Sequence, residues 1–237
     1  MGYDVSFHPI SPEEIREWYF TPLTWIRQGQ EEKVLTLAAQ HGIKDFYAEK
    51  YLDTLRVGAE TEPDELFDKS HGFYIAVVQG FFRDYYYTRG SSFSFLMEEK
   101  PEYARYFTPW AQVVPAVLPN PAKNQILENY CSGVYLSPNQ VLQLLRDLEQ
   151  EPKVLEDLEK HWSDGQFAVL KKALAAAAEL GAGLLEATEV VEPNPLRPNE
   201  STSYSNLFHC DRDGVYLYID MAMKQIAQAM AQNKDDP

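Results

Sequence analysis

The alternation of apolar and polar residues at the start of the chain predicts a strand followed by a helix. Residues 3–8 alternate as a strand with one buried face does, and Pro9 ends the pattern. Residues 11–14, Ser-Pro-Glu-Glu, then combine an N-cap serine, a proline at the first helical position and a capping-box glutamate. We therefore expect a helix from this point to about residue 20.

Apolar residues three and four positions apart predict helices through most of the first half of the chain. Two of these helices are expected near residues 31–41 and 44–57. Over residues 72–87 the apolar positions form a wide stripe with few charges, which is typical of a central buried helix. Gly80 lies within this stripe, where the absence of a side chain permits close approach of another helix.

Strands and helices are mixed in the second half of the chain. The patterns predict strands over 129–136 and 184–191, a capped helix beginning at Ser137, and helices over 152–161, 164–180 and 220–232. Two further strands, 207–210 and 215–219, flank an Asp-Arg-Asp-Gly sequence at 211–214. This arrangement predicts a hairpin whose loop places glycine where a positive φ is needed.

Together these elements predict a mainly helical α+β domain with a small antiparallel or mixed sheet. The strands are not separated by regularly alternating helices, which disfavours a doubly wound parallel sheet. Residues 109–122 contain four of the 15 prolines and have no helical period, so they are the best candidate for a linker. We expect a single domain over 1–237, with possible halves at 1–108, mainly helical, and 123–237, α+β.

Composition and charge exclude several classes of partner. The chain has 237 residues and a formal net charge of −15, and it contains no stripe of Lys and Arg. Nucleic-acid binding depends on such stripes, and anionic membranes repel acidic proteins, so we predict neither partner. No apolar run approaches the roughly 20 residues of a membrane span. The first residues lack a secretion signal, so we expect a cytoplasmic location.

No local signature of a cofactor, a metal or a nucleophile is present. The chain lacks a phosphate-binding glycine loop, a dinucleotide fingerprint and a Gly-x-Ser-x-Gly elbow. Its two cysteines, Cys131 and Cys210, have no metal-ligand spacing, and the acidic surroundings of Cys210 do not favour a reactive thiolate. We predict no cofactor and no metal, although His209, Asp211 and Glu189 come closest to an open metal site. Whether the chain is an enzyme stays open.

The densest group of polar side chains lies between residues 186 and 211. If its glutamates line one rim of the sheet opposite His209, a carboxylate would set the tautomer and basicity of the imidazole, as general-base catalysis and metal binding require. The alternative is that Pro193, Pro195 and Pro198 produce an extended loop whose polar side chains bond to exposed backbone. The candidate ligand-binding residues of this segment are Glu186, Glu189, Glu192, Asn194, Ser203, Ser205, Asn206 and His209.

A second candidate is an aromatic-rich run near the end of the predicted central helix. Gln79, Arg83 and Tyr86 form a stripe that would line an anion pocket, with the guanidinium of Arg83 as a fixed set of donors. The alternative is that Arg83 pairs with a carboxylate while the tyrosines use their hydroxyls at a helix boundary. His8 and His71 stand alone in the sequence, and we expect both to be structural.

Three segments together resemble an uncharacterised family of bacterial cytosolic proteins without assigned function. They are Met-Gly-Tyr-Asp-Val-Ser-Phe-His-Pro at 1–9, Leu-Leu-Glu-Ala-Thr-Glu-Val-Val-Glu-Pro-Asn-Pro at 184–195 and Ser-Tyr-Ser-Asn-Leu-Phe at 203–208. The resemblance extends over the whole length of the chain. It implies a bacterial, cytosolic protein made of a single chain, and it transfers no catalytic residue.

Two functions of different classes fit these observations. The first, which we favour, is a non-enzymatic protein that covers a basic partner protein, as acidic immunity-like proteins cover toxins, because opposite potentials steer association. It predicts an exposed acidic patch beside aromatic anchors. The second is a small-molecule-binding protein or a hydrolytic enzyme with its site around residues 186–211. It predicts a concave pocket in which a carboxylate approaches His209.

Overall fold

A five-stranded mixed sheet forms the centre of the molecule and takes strands from both ends of the chain. The structure is a computed structural model, and it describes residues 3–60, 70–113 and 133–232. The strands are β1 (Asp4–Ile10), β2 (Tyr85–Arg89), β3 (Tyr135–Leu136), β4 (Gly183–Thr188), β5 (Val191–Glu192), β6 (Thr202–Ser203) and β7 (Cys210–Asp211). The main sheet has the order β3-β4-β1-β2-β7, and β5 pairs separately with β6. All pairs are antiparallel except β2 and β7, which are parallel.

Helices make up most of the structure and cover both faces of the sheet. They are α1 (Pro12–Ile15), α2 (Thr21–Arg27), α3 (Glu31–Gln40), α4 (Asp45–Glu60), α5 (His71–Phe82), α6 (Phe93–Glu99), α7 (Trp110–Val113), α8 (Pro138–Gln150), α9 (Pro152–His161), α10 (Gln166–Glu179) and α11 (Arg212–Gln232). A π-helical turn joins α1 to α2. The predicted mainly helical α+β domain with a mixed sheet is confirmed. Within the three described ranges, no helix has the length and apolar character of a membrane span.

Both capping boxes that the sequence predicts are present. The Oγ atom of Ser11 accepts a hydrogen bond from the backbone N–H of Glu14 at 3.2 Å, and the backbone N–H of Ser11 donates to the Glu14 carboxylate at 2.8 Å. At the start of α8 the backbone N–H of Ser137 donates to the side chain of Gln140 at 2.9 Å. Local sequence therefore determines where these two helices begin.

Each face of the sheet packs against its own layer of helices. Ile10 and Leu185 point toward α1–α5, which we call the first layer. Val5 and Phe7 point toward α6, α8, α9 and α10, which we call the second layer. Because both faces are covered, every residue of β4 is buried, including its charged and polar members.

His8 connects β1 to α5 inside the first layer. Its Nδ1 atom lies 2.7 Å from Gln79 Oε1, its Nε2 atom lies 2.8 Å from Ser6 Oγ, and its ring stacks on Tyr85. The amide nitrogen of Gln79 donates to the carbonyl of Asp84 at 3.0 Å, so the amide presents its oxygen to His8 and Nδ1 carries the proton. Burial lowers the pKa of His8 to about 3, although the bond to Gln79 opposes this. The expected structural role of His8 is confirmed.

The central helix is shorter than the apolar stripe over 72–87 predicts. α5 ends at Phe82, and the stripe residue Tyr85 begins β2 instead. Pairing of β2 with β1 overrides the helical spacing, as tertiary contacts often override local preference. Gly80 does permit a close approach, but its neighbours are the side chain of Ser205 and the ring of Tyr85, not another helix.

The hairpin predicted over 207–219 does not form. β7 pairs in parallel with β2, and α11 begins directly after it at Arg212. Gly214 therefore lies in the first turns of a helix and not in a loop. A side chain at this position would collide with the carbonyl of Tyr87 on β2, so the glycine allows the helix to pack closely against the strand.

Only part of the proline-rich segment lies within the described residues. Trp110–Val113 form α7, while residues 114–122 lie outside the described ranges, as do Cys131 and the first part of the strand predicted over 129–136. β1 and β2 precede this segment, and β3, β4 and β7 follow it. The two possible halves of the chain therefore contribute strands to one sheet.

Replacing His8 with glutamine should change how stability depends on pH. Native His8 stays neutral down to about pH 3, whereas the unfolded chain protonates it below its ordinary pKa of 6.5. The unfolded state thus binds the extra proton, and the free energy of unfolding falls with decreasing pH, by about 1.4 kcal/mol per pH unit well below 6.5. We expect the unfolding free energy of His8→Gln, measured by urea denaturation at several pH values, to lack this part of the dependence on pH. His41→Gln is the control, and equal slopes for wild type and His8→Gln would contradict the prediction.

Candidate functional site

Glu186 points into the second layer and not toward a rim of the sheet. It lies opposite Phe7 in the strand register and is 0% exposed. Its Oε2 atom accepts the backbone N–H of Phe93 at 2.9 Å, and its Oε1 atom has no hydrogen-bond partner among the described residues. Burial raises the pKa of Glu186 to about 8 and outweighs the opposite effect of the backbone N–H groups of Phe93 and Ser94. This carboxyl is therefore separated from the polar side chains that follow it in the chain.

Glu186→Gln should lose less unfolding free energy than the wild type when the pH is raised from acid to alkaline values. The carboxyl stays neutral in the native state up to about pH 8 but ionises in the unfolded chain near its ordinary pKa of 4.5. The native state holds the extra proton between these values, so the free energy of unfolding falls as pH rises, by roughly 3–5 kcal/mol in total. Glutamine keeps an acceptor for the Phe93 N–H and does not titrate. The variant should therefore avoid this loss.

Chemical denaturation on the acid and alkaline sides of this interval measures the effect. Glu192→Gln is the matched control, because Glu192 is exposed. An equal change in unfolding free energy with pH in wild type and Glu186→Gln would show that Glu186 ionises normally in the folded protein.

The loop 203–209 docks on the end of α5 through backbone carbonyls. Ser205 Oγ donates to the carbonyl of Val77 at 2.7 Å, and His209 Nδ1 lies 2.9 Å from the carbonyl oxygen of Gly80. The last carbonyls of a helix lack partners within it, so His209 acts as a cap for α5. No carboxylate bonds to His209 in the part of the chain that the structure describes. The contact that the hydrolytic hypothesis requires is therefore not present there.

Two asparagines of the segment bond to backbone, as the loop interpretation predicts. The Oδ1 atom of Asn194 accepts from the backbone N–H groups of Leu196 at 3.1 Å and Arg197 at 2.9 Å. Asn206 accepts from the N–H of Phe208 at 3.0 Å in the same way. Such side-chain bonds stabilise turns. These asparagines therefore shape the loop on either side of β6.

Glu189 and Glu192 line a cavity of about 300 Å³ beside the β5–β6 pair. The whole lining is Glu189, Val190, Glu192, Thr202, Ser203 and Tyr204. Asp211 does not line this cavity and pairs instead with Lys172 at 2.6 Å. Among the residues described, no three metal-ligating side chains lie close enough together to hold a metal ion.

The structure does not bring Gln79, Arg83 and Tyr86 to one pocket. Gln79 is buried against His8. Arg83 pairs with Glu14 and lies over the ring of Trp18 at 4.8 Å. Tyr86 belongs to β2 and packs in the second layer. The carboxylate-paired interpretation of Arg83 is thus confirmed.

Cys210 has none of the features of an activated nucleophile. It is a buried free thiol at the edge strand β7. Burial raises the pKa of Cys210 to about 12. Nucleophilic cysteines have lowered pKa values, so this thiol is structural.

A groove of about 450 Å³ lies between α4, α5 and the end of β6, and we call it the Lys50 groove. It adjoins the cavity beside β5 and β6, because Ser203 and Tyr204 line both. The ring of Tyr204 meets Phe73 edge to face at 5.4 Å. The groove is lined by Lys50, Asp53, Thr54, Val57, Phe73, Tyr74, Val77, Ser203 and Tyr204.

Lys50 is the cationic centre of this groove. Its Nζ atom donates to the carbonyl of Ser203 at 3.0 Å and lies 5.8 Å from the centre of the Phe46 ring. Across the three described ranges no carboxylate pairs with Lys50, and the neighbouring Asp53 pairs with Arg56 at 2.7 Å. Burial lowers the pKa of Lys50. The ammonium is therefore partly removed from water without a compensating negative charge.

Sequence reasoning missed most of the Lys50 groove. Of its lining residues, only Ser203 was among the candidates. One signal was available: Lys50, Thr54 and Val57 recur at i, i+4 and i+7, which places them on one face of α4. No sequence pattern predicted that α5 and β6 would line the groove. Their residues lie about 20 and 150 positions from Lys50 in the chain, and only folding brings them to this face.

Comparison with known proteins assigns no function. No protein-family model, no curated protein and no solved structure matches this chain. The chemistry of the described residues is therefore the basis for inferring function.

Proposed function

We propose that this protein binds a small organic anion with an apolar body and that the Lys50 groove is its binding site. The observation that carries the proposal is the half-buried ammonium of Lys50, which has no ion-pair partner within the described ranges. Removing an ionised group from water is unfavourable unless an opposite charge is supplied. A carboxylate on the ligand would supply that charge.

The hydrogen-bonding capacity of Lys50 fits such a ligand. An ammonium has three N–H donors, and one of them is directed to the carbonyl of Ser203. Two donors are left for the oxygens of a carboxylate. Asp53 does not compete strongly for them, because Arg56 holds its carboxylate. Charge-assisted bonds of this kind contribute about 1.5–3 kcal/mol each.

The other walls of the groove fit an aryl or alkyl body. Phe73 and Val77 are buried and form a packed floor, while Val57 and Tyr204 are 53% and 47% exposed and form the rim. A ligand that covers the rim removes apolar surface from water, worth about 25 cal/mol per Å². The groove volume lies within the range of small-molecule sites, which are mostly apolar with a few directed polar groups.

Lys50→Met should abolish the preference of the protein for anionic ligands. A thermal-shift titration would compare carboxylates such as phenylacetate, indole-3-acetate and octanoate with their neutral amides. We expect the carboxylates to raise the melting temperature of the wild type, because a ligand specific for the native state stabilises it. Loss of the charge-assisted bonds should weaken carboxylate binding by about 10- to 100-fold in the variant.

Lys44→Met is the matched control, because Lys44 immediately precedes α4 and does not line the groove. It should bind the carboxylates as the wild type does. Equal binding of amides and carboxylates by the wild type, or undiminished carboxylate binding by Lys50→Met, would refute the proposed site.

A second function, the binding of a basic partner protein, is favoured by one specific observation. Phe208 is 81% exposed and Leu207 beside it is 38% exposed, although both lie in a loop held on α5. Exposed aromatic side chains are frequent anchors of protein interfaces. Asp211 and Asp213, close by in the chain, share the single ammonium of Lys172 and flank the exposed Arg212, so the negative charge that attracts a basic partner is that of the whole chain, −15.

The wild type should capture basic proteins from a cell extract at low salt, and Phe208→Ala should fail to capture them. Opposite charges and an aromatic anchor both contribute to such an interface, so capture should also decrease as salt increases. Phe46→Ala is the control, because Phe46 is exposed to a similar degree, 68%, on α4. Identical sets of captured proteins for wild type and Phe208→Ala would exclude Phe208 as an anchor.

A further inference from the structure

We infer that α11 forms a coiled coil with the α11 of a second copy of this chain. The helix spans Arg212–Gln232, and its first part packs against the other residues that the structure describes. In that part Leu217 packs against the second layer, and the Sδ atom of Met221 accepts a hydrogen bond from Gln166 at 3.9 Å. All residues from 223 to 231 are exposed.

An apolar stripe with heptad spacing follows the outer side of α11, and we call it the seam. Its members recur in alternating steps of three and four, which is the pattern of the a and d positions of a left-handed coiled coil. At about 100° per residue, the centre of the stripe is turned roughly 160° from Leu217 and Met221, so it faces away from the body. The seam consists of Tyr216, Ile219, Met223, Ile226 and Met230.

Within the described ranges most of the seam is uncovered, since four of its five members are exposed and Ile219 is half-buried. The exposed fractions of Tyr216, Met223 and Met230 are 55%, 52% and 61%, and that of Ile226 is 37%. A row of exposed apolar side chains marks an interaction surface. The projecting part of the helix is also short, and isolated helices below about 12–15 residues are marginal in water. A partner that packs on the seam would stabilise it.

The charges on α11 favour a second copy as this partner. Between Gly214 and Gln232 only Asp220 and Lys224 are charged, so this stretch is neutral within a chain of net charge −15. A basic protein would find no acidic flank on it, and helices that lie on anionic membranes carry several Lys and Arg on their polar face. The α11 of a second copy can pack on the seam without like-charge repulsion, and its own apolar residues have the same heptad spacing.

The residues beside the seam allow close helix packing. Val215, the g position before Tyr216, packs on the body of the molecule, and the remaining e and g positions are Asp220, Ala222, Ala227 and Ala229. Their small side chains leave room for the Met and Ile knobs of a partner helix to enter the holes between them. From Tyr216 to Met230 the seam is about 21 Å long. Two helices in contact over this length bury less surface than the roughly 800 Å² per partner of standard complexes. We therefore expect a reversible dimer.

Sedimentation equilibrium of the full chain tests this inference. The apparent mass of the wild type should rise from 27.2 kDa toward twice that value, as the concentration increases from about 5 to about 300 µM. The triple variant Met223→Gln, Ile226→Gln and Met230→Gln keeps the net charge and the helix propensity. Its dissociation constant should increase by about a hundredfold or more. The changed side chains are exposed, so the melting temperature of the monomer should not change.

Gln225→Ala combined with Gln228→Ala alters the same turns outside the seam and should dimerise as the wild type does. A wild type that stays at 27.2 kDa over the whole concentration range overturns the inference. A triple variant that dimerises with wild-type affinity overturns it as well, because the contact would then lie elsewhere. If the wild type is monomeric and binds phosphatidylserine vesicles, the seam contacts a membrane surface and the inference is overturned.

Discussion

The rest of the structure depends on the burial of β1 on both of its faces. β1 lies between β2 and β4, and its residues from Val5 to Ile10 are all buried. A strand in this position has no water to satisfy its polar side chains, so His8 must find its partners inside the protein. It finds them in Ser6 and Gln79, and its neutral ring stacks on Tyr85. These contacts hold α5 and β2 in place against the sheet.

The Lys50 groove follows from the position of α5. Because α5 ends at Phe82, its last carbonyls are available to the loop 203–209, and Ser205 and His209 bond to α5 carbonyls. The docked loop places the carbonyl of Ser203 against Lys50 of α4. The hydroxyl and imidazole groups that stand out in the sequence thus position a wall of the groove, whereas its charge is contributed by a distant helix.

Two apolar surfaces of different character result from this architecture. The Lys50 groove is concave and contains a partly buried cation, which suits a small ligand that carries the opposite charge. The seam of α11 is convex and neutral, which suits an identical helix. Gly214 links the second surface to the sheet, because it lets the first turns of α11 lie against Tyr87, while residues 223–231 of the same helix are exposed.

The sequence alone determined the capping boxes at Ser11 and Ser137 and the mainly helical α+β class, whereas for Asn194 and Asn206 it left ligand binding and turn formation both open. The capping boxes are contacts between residues three positions apart, so the order of the residues is enough to predict them. Only the tertiary structure decided that Tyr85 begins a strand, that Glu186 is buried opposite Phe7 and that Lys50 meets Ser203. Those outcomes depend on contacts between residues far apart in the chain, and periodicity carries no information about which distant element will pack against a given face.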